Sequence, residues 1–181
     1  MAEETFYTDA ADMTIIEGDD NETDGTILRA RQSVDQSISE EALLPFDVGD
    51  TIGGGTITAA VLHYYQIDYA VTGTKPPTSA QWNVLIYTGS GWYEFDSGIY
   101  GPADGALSST LDATAIGHIA SGDYIVDHDT CFVLSVDDPG AVRSRTWQIE
   151  AFEHADAHHA YLVVTYNPAA GGTARTMIIS C

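Results

Sequence analysis

Between Ile57 and Asp68 the chain alternates with period two. Ile57, Ala59, Val61, His63, Tyr65 and Ile67 fall on one side, and Thr58, Ala60, Leu62, Tyr64, Gln66 and Asp68 on the other. Successive side chains of an extended strand point to opposite faces, so this pattern predicts strand. Runs rich in Val, Ile, Thr, Tyr and Trp predict further strands over 4–8, 13–17, 26–31, 38–45, 55–70, 81–88, 125–127, 130–136, 145–151 and 160–166. The segments between them, "GDDNETDG", "TGTKPP", "TGSG", "DDPG" and "YNPAAGG", hold residues that tolerate positive φ or fix it near −65°. No amphipathic helical stretch of comparable length competes. The one exception is "ALSSTLDATAIGHIASG" over 106–122, read as a short helix or irregular loop with Leu111, Ala115, Ile116 and Ile119 inward. About ten strands with turns at this spacing predict an all-β, jelly-roll-like antiparallel sandwich.

No repeat of 20 to 50 residues is visible, which argues against a propeller or solenoid. Residues 1–168 read as a single β-sandwich domain. Residues 169–181 read as a tail, in which "AAGGTA" connects to "RTMIIS". Such a tail could add an edge strand or act as an inter-subunit arm, which makes Arg175, Met177, Ile178 and Ile179 candidate interface residues. At 181 residues the chain can bury about 70% of its unfolded surface in one core.

Charge narrows the partners. There are 27 acidic residues against 6 basic ones, for a net −21. A field of that sign repels nucleic-acid phosphates and anionic lipid headgroups. Arg29 and Arg31 sit together, as do Arg143 and Arg145, which suggests a few ion pairs and no basic patch. The opening "MAEETFYTDA" lacks a basic segment and an apolar run, so no signal peptide is expected, nor is a membrane span. Cys131 in an apolar run and Cys181 at the last position read as a buried thiol and a free thiol, which fits synthesis in a reducing compartment.

The glycines of "FDVGDTIGGGTITAAVLHYY" invite a phosphate-loop reading. Such a loop needs a helix after the glycines and a Lys or helix N-terminus aimed at the anion, whereas here a strand pattern follows. The glycines therefore turn the chain between strands.

"ALLPFDV" followed by "GGGTITAAVLHYY" resembles the hallmark of the disaggregatase-related repeat (DNRLRE) and of family 96 carbohydrate-binding modules. The closing "AYLVVTY" is similar to the final strand of that family, with Ala160 where proline is usual. Glu40 and Glu41 stand where the family commonly places a basic residue. The opening "TFYTDA" is similar to the start of such modules and of β-sandwich domains in virion proteins of tailed phages. The resemblance implies a jelly-roll sandwich and, in the carbohydrate-binding members, a glycan ligand.

Four constellations could carry chemistry. In "EAFEHADAHHAY", His154 and His158 are four apart, with Glu150, Glu153, Asp156 and His159 near them. On a helix they could ligate zinc, but the segment reads as a loop, where solvated histidines are the reading preferred. In "EGDDNETDG", Asp20, Glu22 and Asp24 alternate before Gly25 as in the first half of a calcium loop. Arg31 at the twelfth position excludes an EF-hand, leaving a calcium site with Asp9 or Asp12 beside the reading as a solvated acidic turn. No isolated carboxylate pair and no nucleophile motif marks a catalytic centre, so no catalytic residue is assigned. Trp92, Tyr93 and Tyr100, with Tyr64, Tyr65 and Tyr69, could stack on sugar rings, whereas Trp82, Trp147 and Phe132 fall in strand patterns and belong inside.

These readings predict a non-enzymatic virion structural protein, a capsid decoration (cement) or accessory particle protein acting by adhesion. Its expected partners are the major capsid protein or other virion proteins, and copies of itself, with a trimer favoured. No cofactor is called for apart from the calcium alternative. The virion is the expected location, with an extracellular one as alternative. A carbohydrate-binding module, or a phage tail or receptor-binding domain, is the competing reading.

Overall fold

The computed structural model describes residues 1–8, 13–16, 27–32, 39–73, 81–99, 105–122, 127–136, 143–152 and 158–169. In chain order the elements are β1 (Ala2–Tyr7), β2 (Met13–Ile16), β3 (Ile27–Gln32), β4 (Ser39–Phe46), α1 (Gly49–Ile52), β5 (Thr56–Gly73) and β6 (Gln81–Tyr87). They continue with β7 (Trp92–Ile99), β8 (Gly105–Thr110), α2 (Ala113–Ile116), β9 (Thr130–Val136), β10 (Arg143–Glu150) and β11 (Tyr161–Asn167). Every ladder is antiparallel, and the strands run β1-β11-β5-β10-β3-β4-β9-β6-β7, with β2 on β4 and β8 on β5. The fold is a curled, all-β, jelly-roll-like sandwich.

The curl lies at β3 and β4, which among the described residues share only the pairs Arg31↔Glu40 and Gln32↔Ser39. It sets two leaves face to face, one built on β1-β11-β5-β10-β3 and the other on β4-β9-β6-β7. Trp82 of β6 meets Trp147 of β10 at 4.8 Å and Tyr64 of β5 at 6.1 Å between ring centroids, although these strands are not ladder neighbours. The rings fill the space between the leaves with Leu28, Leu44, Phe132, Leu134, Leu62 and Leu162, each fully buried. Gln66, the one fully buried polar side chain of that size among the described residues, accepts a 3.0 Å hydrogen bond from Trp147 Nε1, as a buried amide must. Trp82, Trp147 and Phe132 are thus interior, as the strand pattern predicts.

β5 organises the first leaf. Its first half pairs with β11 from Thr56 to His63, and its second half pairs with β10 from Gln66 to Gly73. His63 faces both Tyr161 and Ser108, and Gln66 faces both Ile149 and Gly105, so β8 occupies one edge while β11 and β10 share the other end to end.

Three local expectations change. The stretch 106–122 begins as strand β8, and the short helix occupies only Ala113–Ile116. Ser109 faces inward there and bonds the Tyr64 hydroxyl at 3.1 Å, so an inward polar residue hides the period-two signal. The inward set of this stretch holds, with Leu111, Ala115 and Ile119 buried and Ile116 packed against the core. β7 is an additional strand, disguised by the acidic residues of "WYEFDSGI" and by a register shift opposite Val84 and Leu85. Of the strand expected over 125–127, Asp127 lies in a turn at φ 69°, and the other two residues are outside the described residues.

The glycine segment turns the chain, but through a helical turn. The Asp129 carboxylate accepts from Val48 N at 3.0 Å and Gly49 N at 2.6 Å, capping α1 from a distant loop. Gly53 closes α1 at φ 55°, in the left-handed region. A Cβ on Gly55 would lie 2.6 Å from the Tyr166 ring, so only glycine allows β5 to start against β11.

Candidate functional site

Inward residues define the outward ones. Phe6, Leu162, Val164, Ala60, Leu62 and Ser109 are buried, so their strand neighbours on β1, β11, β5 and β8 form the outer face of the first leaf. Registers align these neighbours into rows across the four strands. One row reads Tyr7, Tyr161, His63, Ser108; the next reads Thr5, Val163, Val61, Thr110; a third reads Glu3, Thr165, Ala59. Tyr65 lies beyond the first row, opposite Ala106. Among these positions Glu3, at a corner, is the only carboxylate, on a chain that carries 27.

Rings line one end of the face. His63 stacks on Tyr161 with centroids 4.5 Å apart and planes 12° from parallel, and Tyr7 adjoins Tyr161 at 5.7 Å. Tyr65 stacks on His158 at 4.3 Å and 13°. Partial burial disfavours the imidazolium of His63 and pushes its pKa below the usual 6.5. His158 is held from behind: its backbone N–H donates to Glu150 Oε2 at 3.2 Å, and its Nδ1 lies 3.3 Å from Oε1. The Glu150 side chain is 3% exposed and that of His158 51%, so the loop from β10 to β11 is anchored by a buried carboxylate while its imidazole faces outward. The histidine that sequence reading leaves in a solvated loop is therefore a structural strut with one open edge.

The second leaf has no comparable open face at its centre. Leu43, Cys131 and Val133 point away from the main core, yet each is at most 1% exposed, with Leu85, Tyr87 and Trp92 packed on them. Burial pushes the Cys131 thiol well above its ordinary range, so it is an inert apolar side chain. Trp92 contacts Tyr87 edge-on at 5.3 Å on this side. Tyr93 faces the other way, packs against the main core and donates its hydroxyl to Asp112 Oδ2 at 2.8 Å. Adjacent strand residues cannot share one stacking surface, so the glycan candidates Trp92 and Tyr93 are split between faces. Asp112 is held below the usual carboxylate range by the Ala115 N–H first and the Tyr93 hydroxyl second.

Of the expected aromatics, Tyr64 is core and Tyr65 joins the outer face. Tyr100, the calcium candidates Asp20, Glu22 and Asp24 with Asp9 and Asp12, and the tail residues Arg175, Met177, Ile178 and Ile179 lie outside the described residues, as do Glu153, His154 and Asp156. Among the described residues no group of three or more His, Cys, Asp or Glu is placed to hold a metal ion, and no helix is long and apolar enough to cross a membrane. Arg31 reaches Glu40 at 3.6 Å, one of the ion pairs the cation spacing suggests. Sequence reading did not single out Tyr7, His63 or Tyr161 as a group. The alternation of β5 puts His63 and Tyr65 on one side, but the β11 and β1 registers that add the other rings are not written in any one segment. A scan against protein-family models finds no match to this chain, and a search of curated proteins finds none either.

Proposed function

We propose that this chain is a non-enzymatic structural protein of a virus particle, a capsid decoration or accessory component that works by adhesion through its outer faces. The observation that carries the reading is the near absence of charge on the outer face of β1, β11, β5 and β8, on a chain of net −21. A strongly acidic protein spreads carboxylates over surfaces that stay in water, and an uncharged face with half-buried Val and Tyr suits contact with another protein. The charge disfavours nucleic acid and anionic membrane as partners. The test is co-sedimentation with density-purified particles of the virus that encodes the chain. The protein is expected to migrate with intact particles in fixed stoichiometry and to rebind particles stripped of it; absence from the particle fraction refutes the reading.

A second reading, glycan binding, is favoured by one observation: the stacked pairs His63/Tyr161 and Tyr65/His158 set ring edges and hydroxyls at one end of the outer face. Rings so arrayed can contact sugar faces while their polar tips bond hydroxyls. On a glycan array this reading expects retention that is lost in Tyr161→Ala and kept in Trp92→Ala.

A further inference from the structure

We propose that the outer face of β1-β11-β5-β8 is the contact between two copies of this chain, packed face to face about a two-fold axis. The inference rests on the adhesion reading above and names the first partner that this face meets. A face whose one carboxylate, Glu3, lies at a corner offers little for a basic partner to recognise; it is matched by a second face as poor in charge, and the same face of another copy is one. Two bodies of −21 repel as they approach, and the repulsion is weakest where the fewest carboxylates are brought together. The row Thr5, Val163, Val61, Thr110 is β-branched and uncharged throughout, suited to sheet-on-sheet packing at about 10 Å. Tyr7, at the end of the neighbouring row, is 61% exposed; with Met1 it is one of two exposed large hydrophobics among the described residues.

Size sets the strength. Four strands about 4.8 Å apart and about six residues long at about 3.3 Å each give a face of roughly 400 Å², so a pair covers about 800 Å² in all. Stable interfaces begin near about 1,200 Å², so the pair is weak and depends on concentration, as suits subunits crowded onto a shared surface. Its signature is an inverted response to salt. Ions screen the mutual repulsion of the acidic bodies, so pairing strengthens as salt rises, whereas a contact made by opposite charges weakens.

Sedimentation equilibrium of the full chain, up to about 1 mM protein and from about 20 mM to about 0.5 M salt, tests this. The expected result is a monomer–dimer equilibrium that shifts toward dimer with concentration and with salt. In the double variant Thr5→Asp with Thr110→Asp, both exposed positions, the dissociation constant is expected to rise at least about tenfold with an unchanged thermal midpoint. A chain that remains single throughout overturns the inference, as does a trimer, a dimer that weakens with salt, or a dimer that the double variant leaves intact. A single-copy chain that still co-sediments with particles defeats the pairing and leaves the adhesion reading standing. A salt-strengthened dimer that never joins particles does the reverse.

Discussion

On the second leaf, Leu43, Cys131 and Val133 point away from the main core and are nevertheless sealed, none above 1% exposed. On the first leaf, Val61 and Val163 occupy comparable outward positions and are only half covered, beside the exposed ring of Tyr7. The strands themselves tell the two apart. β9 reads "TCFVLSV" with the burial pattern BBBBBiB, a continuous apolar run closed on both faces, while β11 reads "YLVVTYN" with iBiBiBe, an alternating strand with one open face. Outward valines therefore belong to structure on one leaf and are available for contact on the other.

The sharpest way to break that contrast is to place the same charge on both outer faces. Val133→Asp buries a carboxylate with no partner and is expected to cost on the order of 4 kcal/mol or more, read as a fall in the urea midpoint or as loss of soluble protein. Val163→Asp is expected to stay within about 1 kcal/mol of the parent in the same titration. Equal losses would show the two faces to be alike.

A smaller effect is expected at Gln66, at the point where β5 passes from one ladder to the next. Gln66→Ala leaves a cavity and orphans Trp147 Nε1, for an expected loss of about 2–3 kcal/mol in chemical denaturation. A neutral result would mean that the indole finds another acceptor.

The least effect belongs to His63 on the open face. Its folded pKa is lowered from 6.5, so the unfolded chain binds the proton first as pH falls. The stability that His63 contributes is complete above about pH 6.5 and is lost as pH drops through the lowered value. His63→Phe keeps the stack on Tyr161 and is expected to flatten the decline of the thermal midpoint between about pH 7.5 and pH 5.5. An unchanged slope would assign the decline to other groups.

The fold was legible wherever one strand carried its own evidence. The alternation of β5 and the apolar run of β9 predict both elements and their burial. Elements whose inward residues are polar or interrupted were not legible: Ser109 hides β8, and the acidic residues and register shift of β7 hide that strand. The turn at "FDVGDTIGGG" was legible as a turn, but its helical form depends on Asp129, 80 residues away from Gly49. The outer face was harder still. Tyr65 is recognisable as aromatic on an alternating strand, but its partner His158 and the row Tyr7, Tyr161, His63 exist only once three distant segments are set in register. Tertiary pairing supplies that information, and no local pattern contains it.

β11 and β10 meet the same edge of β5 end to end, and no ladder joins them to each other among the described strands. A bend of the single strand between His63 and Gln66 would therefore swing β1 and β11 as a lever against β10 and β3. β8 spans that joint along the opposite edge, from Val61 to Gln66, and His158, held by Glu150 and stacked on Tyr65, braces it where β11 gives way to β10. Resistance of the first leaf to bending at that joint thus rests on the β8 ladder along one edge and on one imidazole at the other, so loosening that imidazole removes the brace on the side where β11 gives way to β10.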